Sequence, residues 1–143
     1  MSLAMSKEER EAFLAEVHVG VLGIADAGDR GPWMIPIWYA YEPGGDVRMV
    51  TGRSGRKMAS LQAARRCSLT AQSEEPPYRY VTVEGPVVIE PAVDEAERAA
   101  IAGRYLGERR GQRYVEVTAS QVPGMVTVAL RPERWLSADF SRA

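Results

Sequence analysis

Apolar and polar positions recur along this chain in two rhythms, one near three to four residues and one of two, and the changes between them mark its elements. Ser6 and Glu9 stand at capping-box spacing, with Ala12, Phe13, Glu16 and Val17 following at helical intervals, which predicts a helix over residues 6–16. Residues 18–25 are apolar and β-branched and run into turn chemistry at 26–31. A second such run, 33–41, ends at Glu42-Pro43-Gly44-Gly45-Asp46, and residues 47–51 make a third. Three strands joined by short Gly- and Asp-rich turns predict an antiparallel meander rather than βαβ units.

After Thr51 the pattern changes. Met58, Leu61 and Ala64 recur every third residue, predicting a helix over 57–64 behind a loop at 52–55. Residues 67–72 and 78–90 read as strands separated by Glu74-Glu75-Pro76-Pro77. Asp94 with Glu97 opens a helix that reaches about Leu106. The Gly- and Arg-rich stretch 107–113 is a loop or an extension of that helix, and the segment to Ser120 has no clear period. Strands over 125–131 and 135–140 close the chain. Six or seven strands with two or three peripheral helices predict a mainly β fold, a small barrel, as a single domain over residues 1–143.

Composition narrows the chemistry. Hydrophobic residues make up 45%, charged residues 26%, and the net charge is −1, so neither nucleic acid nor an anionic membrane is expected as partner. Any anion must be held by a local basic cluster. With one cysteine, Cys67, and one histidine, His18, the chain alone cannot build a four-ligand zinc site or an internal disulfide. Cys67 reads as a small core residue and His18 as structural. The first twenty residues carry six charges and no apolar signal core, and no run approaches membrane-spanning length, so a cytoplasmic protein is expected.

The local cluster is Thr51-Gly52-Arg53-Ser54-Gly55-Arg56-Lys57, running from a strand end into a helix start. A helix N-terminus carries partial positive charge and free N–H groups, so two cations there are each unfavourable by ~0.3–1 kcal/mol. Nothing acidic lies within the segment. A phosphate would relieve the conflict, accepting backbone N–H groups, the Thr51 and Ser54 hydroxyls, and Arg56 and Lys57. The plain alternative is a solvated basic turn. The glycine spacing and Met58 after Lys57 rule out a Walker loop.

A second feature is Pro36-Ile37-Trp38-Tyr39. Proline in a strand marks an edge or a bulge, and alternation sets Met34, Pro36 and Trp38 on one face and Ile35, Ile37 and Tyr39 on the other. Such a face could receive a planar ring or be an aromatic barrel wall. Arg79 between Tyr78 and Tyr80 suits an interface anchor or an ordinary exposed strand.

Together and in this order, Gly20-Val21-Leu22-Gly23-Ile24-Ala25, Pro36-Ile37-Trp38-Tyr39, residues 51–61 and residues 78–85 resemble the pyridoxamine phosphate oxidase-like superfamily of flavin and deazaflavin oxidoreductases. The resemblance runs over about 19–89, with looser similarity in the closing strands. It implies a six- to seven-stranded antiparallel Greek-key split barrel, a homodimer with two cofactor sites between subunits, and FMN, or alternatively coenzyme F-420, as cofactor. It implies that Thr51, Ser54, Arg56 and Lys57 hold the cofactor phosphate. The backbone of Ile35, Pro36, Ile37 and Trp38, and of Val50 and Thr51, would lie along the ring.

One departure is clear. The superfamily's vitamin-precursor oxidases end in an Arg-x-His signature, whereas this chain reads Arg131-Pro132-Glu133-Arg134-Trp135-Leu136 and has no histidine after His18. The expected activity is therefore hydride transfer to or from another small conjugated molecule, the cofactor carrying the chemistry. No acid/base pair stands out as catalytic, and Tyr39, Tyr78 and Arg79 are the candidates for substrate or interface contacts. A non-catalytic cofactor- or haem-binding module is the rival on the same barrel, and a structural β-domain with a solvated basic loop is a third reading.

Overall fold

The computed structural model describes residues 2–143. Helix α1 (Lys7–Ala15) begins at the expected capping box: the Ser6 side chain accepts the Glu9 N–H while the Glu9 carboxylate accepts the Ser6 N–H. Strands β1 (Gly20–Ile24), β2 (Trp33–Ile37) and β3 (Val47–Gly52) follow, then α2 (Arg56–Ala64), β4 (Arg66–Gln72) and the long β5 (Arg79–Glu90). Two helices, α3 (Glu95–Leu106) and α4 (Glu108–Val117), precede β6 (Met125–Leu130) and β7 (Arg134–Asp139). Asp94 caps α3 by accepting the Glu97 N–H. The stretch left between loop and extension is a separate helix, set off from α3 by Gly107 at φ 84.

All seven strands pair antiparallel, in the order β2-β1-β4-β5-β6-β3, with β7 beside the first half of β5. The sheet curls into a split barrel. Alternate residues of each strand point inward, Leu22 and Ile24, Met49, Leu69, Val81 and Val83, Val126 and Val128 among them, and meet Phe13 and Leu14 of α1 and Met58 and Leu61 of α2. Cys67 lies in this core, and burial pushes its thiol up to about 12. Where β5 passes from pairing with β7 to pairing with β6, Gly85 comes so close to the chain that an added Cβ would lie 1.8 Å from the Arg131 carbonyl oxygen. Only glycine fits there.

The expected meander is corrected in one respect. β1 and β2 form the predicted hairpin, but β3 pairs with β6 rather than β2. Between β2 and β3 a single bridge survives, Ala40 and Arg48 exchanging two 2.9 Å backbone hydrogen bonds. The second strand also ends at Ile37 instead of Tyr41. Tyr105 of α3 explains part of this, because its hydroxyl accepts the Tyr39 N–H at 3.1 Å and donates to the His18 carbonyl at 2.6 Å. Arg48 ties β3 to α3 and to the end of β5, donating to Glu97 at 2.5 Å and Glu90 at 2.7 Å.

Candidate functional site

The split between β2 and β3 is the centre of interest. Ala40 and Arg48 bond across it, so the two-residue period of a strand turns Trp38 and Pro36 on one side, and Val50 and Gly52 on the other, toward the gap. No ladder forms there among the described residues, which leaves two facing strand edges with free backbone groups. Pro36 has no N–H to offer, so this edge cannot close by ordinary pairing at that point. A cavity of about 320 Å3 opens in the gap, walled by Pro36, Ile37, Trp38, Val50, Met125 and residues of the α3–α4 hairpin.

The basic loop stands at the end of β3. Gly55, at φ 104, precedes helix α2 and gives it no side-chain cap, and the first turn holds no acid. Its N–H groups are therefore available to an anion, as read from the sequence. Lys57 Nζ donates to Thr51 Oγ1 at 2.9 Å, bringing two of the four expected phosphate ligands together. Ser54 is exposed in the same loop. Arg53 points elsewhere: its guanidinium donates to the Pro91 and Met125 carbonyls, and its N–H to that of Gly124, tying the loop to the start of β6.

No acid lies within the segment, as the sequence reads, but Arg56 meets one from outside it. Its guanidinium lies 3.5 Å from Asp26 and 5.6 Å from the centre of the Trp33 ring. Asp26 accepts from the Ser60 hydroxyl and the Ala27 N–H, and Ser60 accepts from the Trp33 indole. The Ser60 hydrogen bond chiefly, with Ala27 and the Arg56 charge, holds the Asp26 carboxyl below its usual range. Asp26 is thirty residues away in sequence, so no local pattern announced it.

Four expected ring-side residues, Pro36, Ile37, Trp38 and Val50, do line the cavity, whereas Ile35 packs half-buried against the core. Three other candidates, Tyr39, Tyr78 and Arg79, do not line this cavity. Tyr39 is fully buried, its hydroxyl donating to the Leu14 carbonyl at 2.7 Å, and desolvation raises its pKa. It is a core residue, which corrects its candidacy. Arg79 lies over the Phe13 ring at 4.8 Å and 3.8 Å from Glu16, and neither it nor the exposed Tyr78 lines the cleft. His18 stacks on Phe13 as a structural residue.

Sequence reasoning missed the hairpin wall. Tyr114 of α4 reaches the cavity together with Arg98, Ile101 and Ala102 of α3. Gly111, in the stretch read as loop or helix extension, and Tyr114 and Thr118, in the segment without a clear period, recur at helical intervals, and that spacing is the available signal.

An uncapped, cation-bearing helix start beside a slot with free backbone edges fits a planar ring carrying a phosphate. Known structures share the fold. A conserved hypothetical protein of Mycobacterium tuberculosis superposes with a TM-score of 0.74 at 21% identity, covering 97% of this chain and 88% of its own. An F-420 reductase gives 0.68 at 21% identity, over 88% and 94% of the two chains. A FAD-binding protein of Mesorhizobium loti gives 0.63 at 20%, over 93% and 91%. No curated protein matches the chain. The family model for pyridoxamine 5'-phosphate oxidase matches residues 6–138, nearly the whole sequence, and the chain belongs to that family.

Proposed function

We propose that the protein is a flavin- or deazaflavin-dependent oxidoreductase, working in the cytoplasm as a homodimer on a small conjugated substrate, with FMN as cofactor and coenzyme F-420 as the alternative. The observation that carries this reading is the Lys57–Thr51 pair at an uncapped helix start, next to a slot between two unpaired strand edges. Lys57, Thr51, Ser54 and the first N–H groups of α2 would hold the phosphate, with Arg56 adding charge from the Asp26 side. Backbone groups of Trp38 and Val50 would meet the polar edge of the ring. When bound, that ring supplies hydride transfer.

The family name does not carry vitamin-precursor oxidation to this chain, because the terminal Arg-x-His is absent and its one histidine is packed on Phe13. Support for the dimer comes from the outer sheet face, where Pro36, Val21, Thr70, Thr82 and Leu136 form one cross-strand row. Met34 and Leu136 on that face are 62% and 60% exposed, which suits burial against a second copy.

The visible spectrum of freshly purified protein, followed by titration of the apo form with FMN and riboflavin, tests the reading. A flavin or deazaflavin band, or tighter uptake of FMN than of riboflavin, is expected. A haem spectrum would support the rival module, and no chromophore with no uptake of either flavin or of coenzyme F-420 would remove the proposal.

A further inference from the structure

The hairpin of α3 and α4 closes one side of the cleft with aromatic surface. Tyr114 stands with its ring centre 5.2 Å from that of Trp38 at an angle of 52°, and Tyr105 lies nearly parallel to Trp38 at 5.1 Å. Tyr114 is 36% exposed, and its hydroxyl has no hydrogen-bond partner among the described residues. The wall is fixed from behind. Arg98, 4% exposed, donates to Glu95, to Thr118 Oγ1 at 2.8 Å and to the Val115 carbonyl at 3.0 Å, so the turn after Tyr114 cannot drift. Gly111, one turn before Tyr114, lets α4 press against Gly103 of α3. Arg98 is also the one charged residue lining the cavity, and these partners engage its guanidinium, so the wall offers an incoming molecule rings and aliphatic carbon.

We propose that Tyr114 is a ring-binding residue, and that with Trp38 it selects a flat, uncharged polycyclic ring, that of the cofactor, against the α3–α4 hairpin of the same chain. The inference rests on the flavin reading above and adds to it a residue and a selection rule. A cavity of about 320 Å3 is at the small end of ligand pockets and holds one ring system, so the occupant is the cofactor ring rather than ring and substrate together. Aromatic contact beyond simple area burial then contributes to affinity without touching the phosphate.

The test uses the full chain, with FMN and 5-deaza-FMN as probes and riboflavin as the phosphate-free control. Electron-rich phenol and indole rings quench flavin emission on contact, which gives a readout independent of turnover. Tyr114→Leu should keep the helix and the melting temperature, weaken FMN and riboflavin alike by about three- to ten-fold, and restore part of the bound flavin's emission. Tyr114→Phe keeps the ring face and should bind both flavins as wild type does, while raising the bound emission as the Leu variant does, because a benzene ring lacks the phenol's electron richness. Unchanged affinity and emission in Tyr114→Leu, or equal losses in the Leu and Phe variants, would overturn the aromatic wall while leaving a phosphate-selective Lys57 effect intact. If wild type binds none of FMN, 5-deaza-FMN and coenzyme F-420, the flavin or deazaflavin reading and this inference fall together.

Discussion

Lys57 donates to Thr51 Oγ1 across 2.9 Å, so a strand end and a helix start share one cation. Removing it has separable consequences. Lys57→Ala should weaken FMN binding by ~1.5–3 kcal/mol, roughly 10- to 150-fold, and leave riboflavin binding nearly unchanged. In the apo protein, relief of ~0.3–1 kcal/mol at the helix dipole opposes loss of a half-buried hydrogen bond worth ~0.5–1.5 kcal/mol, so the melt should move little. Parallel titrations and apo melts check both, and equal loss of the two flavins would dismiss the phosphate role.

The outer sheet face supplies a prediction about assembly. Wild type should sediment at about twice the 15.7 kDa chain mass. Leu136→Lys puts a charge into the proposed contact, at the β7 end of the cross-strand row, and should yield monomer with a nearly native melt, since Leu136 is exposed in the single chain. Flavin affinity should fall as the dimer is lost. A monomeric wild type that binds FMN tightly would contradict the shared site.

Two neighbouring glycines should respond with opposite signs. A Cβ on Gly111 would meet the Gly103 backbone at 2.8 Å, while a Cβ on Gly103 meets nothing within 4 Å. Gly111→Ala should therefore force the helices apart at a cost of ~1–3 kcal/mol, only partly offset by better helix propensity. Gly103→Ala, inside α3, should stabilise by up to ~1 kcal/mol. Denaturant melts of the two variants give the comparison, and a stabilised Gly111→Ala would refute the close packing.

Cys67 makes stability fall with alkali. Burial raises its folded pKa to about 12 from an ordinary 9.0, so above pH 9 the unfolded chain loses a proton that the folded chain keeps. Fewer protons on the unfolded state means stability declines as pH rises, with a limiting slope of ~1.4 kcal/mol per pH unit from this group. Cys67→Ala should be less stable at pH 7, from the lost packing, yet show a shallower decline between pH 9 and 11. Below pH 8 the thiol of the native protein should react with iodoacetamide far more slowly than that of the unfolded chain.

What was legible in the sequence was local. The Ser6–Glu9 box, the Asp94 cap and the helix after Gly55 depend on residues within one turn of each other, and each formed as read. The anomaly of Arg56 and Lys57 at a helix start was visible for the same reason. Partners far apart in sequence were not. Nothing near Arg56 points to Asp26, nothing near Trp38 to Tyr114, and hairpin logic gave β3 the wrong neighbour because Tyr105 and Pro36 act on the edge from outside the turn. Family resemblance supplied the cleft residues Pro36, Ile37, Trp38 and Val50, while the wall facing them lay in a segment where periodicity was weakest.

Pro36 has one more consequence. A strand with exposed N–H and C=O groups recruits other strands, and the slot presents two such edges, on β2 and on β3. By withholding a donor at residue 36, the chain blocks its own closure and makes the same edge a poor template for a foreign strand. The gap is thus kept open and kept solitary by one missing hydrogen atom.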